Sequence, residues 1–147
     1  GTRKGWTHQQ LGSFCALLSQ WRPDVFRHGA CLGVDEQTTE MVKAHYPETK
    51  VIAHPGRFAS GKENDFVSQL AISLSDEVLP LDSHFSRNRA IVQASDVMVA
   101  FPGEMRVGSS GGTAMTIGHA RTVGKPLVIV WPDGTTSEER MAKHGNG

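Results

Sequence analysis

Val97-Met98-Val99-Ala100-Phe101 is a continuous apolar run, and Ser109-Ser110-Gly111-Gly112-Thr113 further on opens a stretch with a helical apolar rhythm that lasts to Val123. The first run, bounded by Asp96 and Pro102, reads as a strand covered on both faces. A strand that ends in a small-residue loop and re-enters a helix leaves unpaired N–H groups at the helix N-terminus, where the helix dipole also favours negative charge. The hydroxyls of Ser109, Ser110 and Thr113 add donors, and Gly111 and Gly112 let a ligand approach the main chain without a Cβ in the way. This corner suits a phosphate. The same five residues also suit an ordinary Gly/Ser turn, so the rest of the chain has to decide.

Downstream, Gly124 and Pro126 stop the helix. Leu127-Val128-Ile129-Val130-Trp131 forms a second continuous apolar run, turned by Pro132-Asp133-Gly134. Upstream, Thr7-His8-Gln9-Gln10 has the T-x-x-Q form of a capping box, and Leu11, Phe14, Cys15 and Leu18 recur at helical spacing up to a stop at Pro23. Cys15 is expected in the core. Val25-Phe26-Arg27-His28 reads as a short strand, followed by the loop Gly29-Ala30-Cys31-Leu32-Gly33 and a helix over 34–45. Lys50-Val51-Ile52-Ala53 is the next strand, broken at His54-Pro55. Residues 56–65 read as a loop, 66–74 as a short helix and Glu77-Val78-Leu79 as a brief strand. Asp82 or Ser83 caps a helix to about Ala94, and residues 135–147 form a polar C-terminal tail.

Alternating strands and helices with apolar central strands predict an α/β fold: a Rossmann-like three-layer α/β/α sandwich with a mostly parallel sheet over residues 1–134. Ligands of such sheets bind beyond the carboxyl ends of the strands. The loops at 1–5, 28–33, 54–56, 102–112 and 132–134 are expected to converge there. Gly1-Thr2-Arg3-Lys4-Gly5 reads as a loop that follows a strand, so the sheet's first strand is expected to be missing or truncated.

At 147 residues, 38% hydrophobic and 20% charged, the chain suits one globular domain. Fifteen basic and fifteen acidic residues give a formal net charge of zero, which argues against the phosphate backbone of DNA as the main partner. No apolar stretch approaches the roughly 18 residues of a membrane span, and the start carries no charged-then-apolar leader. Cys15 and Cys31 suit free thiols in a reducing, cytoplasmic compartment. His28, His54 and Cys31 match no common zinc spacing, so neither metal nor cofactor is expected.

Motif searches find no P-loop, no G-x-G-x-x-G and no H-E-x-x-H. The ordered set Gly1-Thr2-Arg3, His28-Gly29-Ala30-Cys31-Leu32-Gly33-Val34-Asp35, His54-Pro55, Arg87-Asn88-Arg89, Ser95-Asp96 before an apolar strand, Ser110-Gly111-Gly112-Thr113 and Gly124-Lys125-Pro126 nevertheless resembles the SLOG superfamily. Those Rossmann-like nucleotide-binding domains include the Lonely-guy phosphoribohydrolases and the DNA-processing protein A family. The resemblance implies a nucleotide or nucleotide-derived ligand and a homodimer or higher oligomer. Arg87, nine residues before Asp96, takes the place of the Lonely-guy arginine. The Lonely-guy loop G-x-G-T-x-x-E ends in a glutamate that takes part in cleaving the N-glycosidic bond, and Thr116 stands at that position here. A carboxylate suits the activation of water against a ribosyl bond and a threonine hydroxyl does not. Phosphate binding, which relies on N–H groups and hydroxyls, survives the change.

The expected binding residues are therefore Thr2, Arg3, Gly29, Gly33, Arg87, Ser109, Ser110, Gly111, Gly112 and Thr113. Arg87 and Thr116 are the catalytic candidates if a bond is cut. Arg87 or Arg89 is expected as a phosphate clamp, with Arg3 as a second. Asp35, Asp82, Glu104 and Asp133 are replacement acids, and Asp35 also suits the start of its helix. Trp131 suits either a ligand base or the core. Nucleotide binding is the leading expectation, nucleoside 5'-monophosphate hydrolysis the alternative, and single-stranded DNA binding the third; the last lacks a basic excess and an aromatic platform.

Overall fold

Helix starts are where the sequence leaves its clearest marks. The computed structural model describes residues 1–57, 66–109 and 111–141, and in it α1 (His8–Trp21) begins with the full capping box: the Thr7 hydroxyl accepts from Gln10 N–H, and the Gln10 side chain accepts from Thr7 N–H. Ser68 caps α3 (Gln69–Leu74) and Ser83 caps α4 (His84–Ala94) in the same way, through the hydroxyl. Two helices start differently. α2 (Val34–His45) and α5 (Gly112–Val123) are entered through Gly33 and Gly111, at φ +87° and +97°, with no side-chain cap. Both follow loops at strand ends.

The strands are short: β1 (Val25–His28), β2 (Lys50–Ala53), β3 (Gly56–Arg57), β4 (Glu77–Val78), β5 (Asp82–Ser83), β6 (Met98–Ala100), β7 (Leu127–Val130) and β8 (Thr136–Glu139). Among the described residues they form three small, mostly parallel sheets, in the orders β1-β2-β4, β3-β5 and β6-β7-β8. Among the described strand pairs, β7–β8 is the antiparallel one. With five helices among the described residues, the architecture is mixed α/β.

The continuous apolar run of β7 has the expected explanation, because successive side chains point to opposite faces. Val128 and Val130 join Phe14, Leu17 and Leu18 of α1, together with Phe101, in one core cluster. Leu127 and Ile129 join Ile91 and Val92 of α4 and Ile117 and Ala120 of α5 in a second. Gln10 ties α1 to the strand ends. Its side chain, 1% exposed, donates to the carbonyls of Pro102 at 2.9 Å and Val130 at 3.0 Å.

Four local expectations need correction. Cys15 is exposed: the buried stripe of α1 runs through Gln10, Phe14, Leu17 and Leu18, and Cys15 lies one helical step off it. Residues 66–74 are helical only from Gln69, because the backbone of 66–68 pairs with the 30–32 loop, through Leu32 N–H to Phe66 O at 2.7 Å and Ser68 N–H to Ala30 O at 2.8 Å. Gly56 and Arg57 form β3 instead of a loop. The polar tail contains β8, fixed by the Trp131 indole N–H on Ser137 Oγ and by the Arg121–Glu139 ion pair at 2.8 Å; its backbone finds the open edge of β7 despite a sequence with no apolar alternation.

Replacing Gln10 by Ala orphans two buried carbonyls and removes the capping-box partner, so the Gln10→Ala chain should lose about 2–4 kcal/mol of stability, measured as a lowered urea midpoint at unchanged slope.

Candidate functional site

The peptide of Gly29 stands between two opposite charges. Asp35, in the first turn of α2, accepts from Gly29 N–H and Cys31 N–H through Oδ2, both at 3.2 Å. On the other side Arg87 of α4 donates through Nη1 to Gly29 O at 2.5 Å and to His54 O at 3.1 Å. Only glycine fits here: a Cβ at Gly29 would lie 2.6 Å from Arg87 Nη1 and 3.0 Å from Asp35 Oδ2. The remaining Arg87 donors are engaged as well. Nε donates to Asn88 Oδ1 at 2.7 Å, and Nη2 donates to His84 Nδ1 at 2.9 Å and reaches Cys31 Sγ at 3.9 Å. All five N–H groups of this 7%-exposed guanidinium are thus spent on the protein. Arg87 therefore clips the carboxyl-end loops of β1 and β2 together, and its donors do not stand free as the phosphate clamp expected from the sequence. Arg89 is exposed, its guanidinium 5.4 Å from the Phe85 ring centroid.

The 1–5 loop joins the loops after β1 and β2. Thr2 O accepts from Val34 N–H at 3.1 Å, supplying a partner for an otherwise orphaned N–H at the start of α2. A Cβ at Gly33 would strike Thr2 O and Arg3 O, so both its positive φ and its close approach require glycine. On the opposite side of the 1–5 loop, the Thr2 side chain lies beside Gly103 in the loop that follows β6: a Cβ built there would be 3.6 Å from Thr2 Oγ1. The exposed Arg3 places its guanidinium 3.6 Å over the centroid of Phe66. Asn88 extends the Arg87 cluster to α5, its Nδ2 donating to Met115 Sδ at 3.7 Å.

At the head of α5, Ser109, Gly111 and Gly112 are exposed, and a Cβ built on either glycine would have open space around it. Thr113 is half-buried. Ser110 lies outside the described residues. Thr116 Oγ1 donates to Gly112 O at 2.9 Å, so its proton is committed to the helix backbone. The other acids have structural duties: Asp82 accepts from Ser83 N–H, Asp133 from Thr135, and Glu104 faces Arg106 at 3.4 Å. Trp131 packs against the second core cluster.

The histidines at the strand ends act as acceptors, which fixes their protonation. His28 Nδ1 accepts from Ala30 N–H at 3.0 Å, so its Nε2 carries the proton and donates to Ser75 Oγ at 2.8 Å. His54 Nε2 accepts from Arg27 at 3.0 Å, since arginine has only donors. Burial, then Arg27, His28 and Arg87, push His54 down to about 4. Burial also lowers His28 and His84, and it raises the Cys31 thiol. No group of three or more His, Cys, Asp or Glu side chains able to hold a metal ion occurs among the described residues.

Two participants escaped the sequence reading. His84 and Phe66 carry no motif, although the i, i+3 spacing of His84 and Arg87 is a signal that both face one side of α4. A hollow of about 280 Å³ lined by His54, Pro55, Leu79, Pro80, Leu81 and Arg87 opens beside the clip. In comparisons with known proteins, no family model, no curated protein and no solved structure matches the chain.

Two predictions follow from this geometry. Gly29→Ala should cost about 1–3 kcal/mol by forcing Arg87 and Asp35 apart, read from thermal unfolding. For His54, folded and unfolded chains are both neutral above about 6.5, and between about 6.5 and 4 only the unfolded chain takes up the proton. Stability should therefore fall as the pH is lowered through that window. His28 and His84 act in the same direction, so His54→Gln should make the slope shallower without removing it, as urea titrations across the window would measure.

Proposed function

We propose that this chain is a SLOG-like, Rossmann-like three-layer α/β/α domain that binds a nucleotide or a nucleotide-derived phosphate ligand at the head of α5. The observation that carries the reading is the Arg87 clip between the loops after β1 and β2, with the 1–5 loop packed on Gly33 and beside Gly103, and its link through Asn88 and Met115 to a glycine-entered helix start with open space in front of it. Uncapped N–H groups at the start of a 12-residue helix favour an anion. Thr113 adds a hydroxyl, and Arg3 supplies a cation whose donors are exposed.

In this reading Arg87 is a positioning residue: it fixes Gly29 and His54 relative to α4, and through Asn88 it sets the approach of α5. Binding is favoured over cleavage because Thr116 offers no carboxylate and its proton is bonded to Gly112 O. Assembly into a homodimer or higher oligomer belongs to the same proposal and is read directly by light scattering.

The test uses Thr113→Asp. An aspartate in the first turn of α5 suits the helix dipole, so the variant should fold with unchanged or raised thermal stability. It should also weaken adenosine 5'-monophosphate binding at least about ten-fold in calorimetric titration, equivalent to about 1.4 kcal/mol. Unchanged affinity would remove the head of α5 from the site. Release of free adenine at an enzymatic rate by the unsubstituted chain, lost in Thr116→Val, would replace pure binding by hydrolysis.

A further inference from the structure

The hollow of about 280 Å³ beside the Arg87 clip is walled by Pro55, Leu79, Pro80, Leu81 and Ala90, with His54, Asp82 and Arg87 as its polar members. Nucleotide binding at the head of α5 makes no use of it. Leu81, in its wall, is 59% exposed, so the hollow opens to water over apolar surface.

His54 gives this hollow a donor. Its Nε2 accepts from Arg27 at 3.0 Å, so the proton of the neutral ring sits on Nδ1. The residue is only 4% exposed, and among the described residues nothing accepts from that N–H. A buried donor of this kind favours any ligand that brings it an acceptor. Charge points the same way. Arg87 lies in the wall and the half-buried Arg27 stands against the imidazole, and among the described residues neither forms an ion pair with a carboxylate. The N–H groups of Arg87 go to neutral acceptors, which leaves its charge uncancelled. The acids of this corner have other partners: Asp35 serves Gly29 and Cys31 N–H, Glu77 faces Lys50 at 3.4 Å, and Asp82 accepts from Ser83 N–H. The field of the two arginines reaches His54, where it adds to burial in keeping the ring neutral.

We propose that this hollow is a binding site for a small monocarboxylate with an apolar body, one aromatic ring or a short branched chain, whose carboxylate accepts from His54 Nδ1–H and whose body lies against Leu79, Leu81 and Ala90. Each part of the ligand answers an observation. The carboxylate pairs the buried N–H in a charge-assisted bond and offsets the arginine charge, whereas a neutral amide does only the first. Inorganic phosphate would lose its hydration against apolar walls. Asp82, exposed in the same wall, disfavours a second negative charge. Size fits as well: an apolar cavity of about 150 Å³ already takes one benzene ring, so about 280 Å³ has room for a ring and its carboxylate. The site is separate from the head of α5 and stands whether or not a nucleotide binds there.

The experiment titrates benzoate, benzamide and inorganic phosphate separately into the isotope-labelled chain at neutral pH and follows amide and imidazole signals by NMR. Benzoate should shift His54, Leu79, Leu81 and Ala90 saturably, with a Kd of about 1 mM or lower, and should bind at least about ten-fold more tightly than benzamide or phosphate. Ala90→Phe, which puts a ring into the hollow from a half-buried position on α4, should weaken benzoate at least about ten-fold. Leu81→Glu, at an exposed position that folding tolerates, should do the same by charge repulsion, so the test survives if Ala90→Phe does not fold. The absence of a saturable shift at these four residues would overturn the proposal. So would equal affinity for benzoate and benzamide, or for benzoate and phosphate, and so would undiminished benzoate affinity in Leu81→Glu. Shifts confined to residues 111–116 would overturn it too, because benzoate would then be bound at the head of α5.

Discussion

The carbonyls of Gly29 and His54 end two parallel strands, and one guanidinium holds both. Most of the carboxyl edge of the molecule follows from that contact. Arg87 fixes the two loops; Asp35 holds the N–H side of the same Gly29 peptide and thereby orients the start of α2; Val34 N–H in turn donates to the Thr2 carbonyl. Arginine suits this position because its five donors lie in one rigid plane and can serve several acceptors at once. A lysine, with three donors on one nitrogen, could not also serve Asn88 Oδ1, His84 Nδ1 and Cys31 Sγ.

This arrangement also explains why three histidines crowd a cationic corner without charge. His28, His54 and His84 each accept a hydrogen bond, two of them from arginine, and a protonated imidazole has no acceptor to offer. Their lowered proton affinity follows first from burial, to which the neighbouring arginines add.

A slot of about 470 Å³ separates β1 from β6. Strands β2 and β7, one step further out on each side, carry fully buried residues such as Val51 and Val128, whereas Phe26, Val97 and Val99 beside the slot do not.

Much of the fold was legible in residue order. The capping box at Thr7, the stops at Pro23 and Gly124, and the apolar runs at 97–101 and 127–131 are local signals, set by side chains that bond their own backbone, by residues that restrict it, or by unbroken apolar sequence. The strand status of 136–139 was not legible, because it depends on an edge supplied by β7. Nor was the exposure of Cys15, which turns on a single helical step.

The candidate site divides in the same way. By itself the sequence determined that glycine-rich loops follow strands and that a glycine-entered helix start lies near the apolar run, since backbone conformation at those positions is restricted by residue type. Only the tertiary structure decided that Arg87 spends its donors on Gly29 and His54 while Arg3 stays exposed, because acceptors 58 and 33 residues away in the chain leave no local trace.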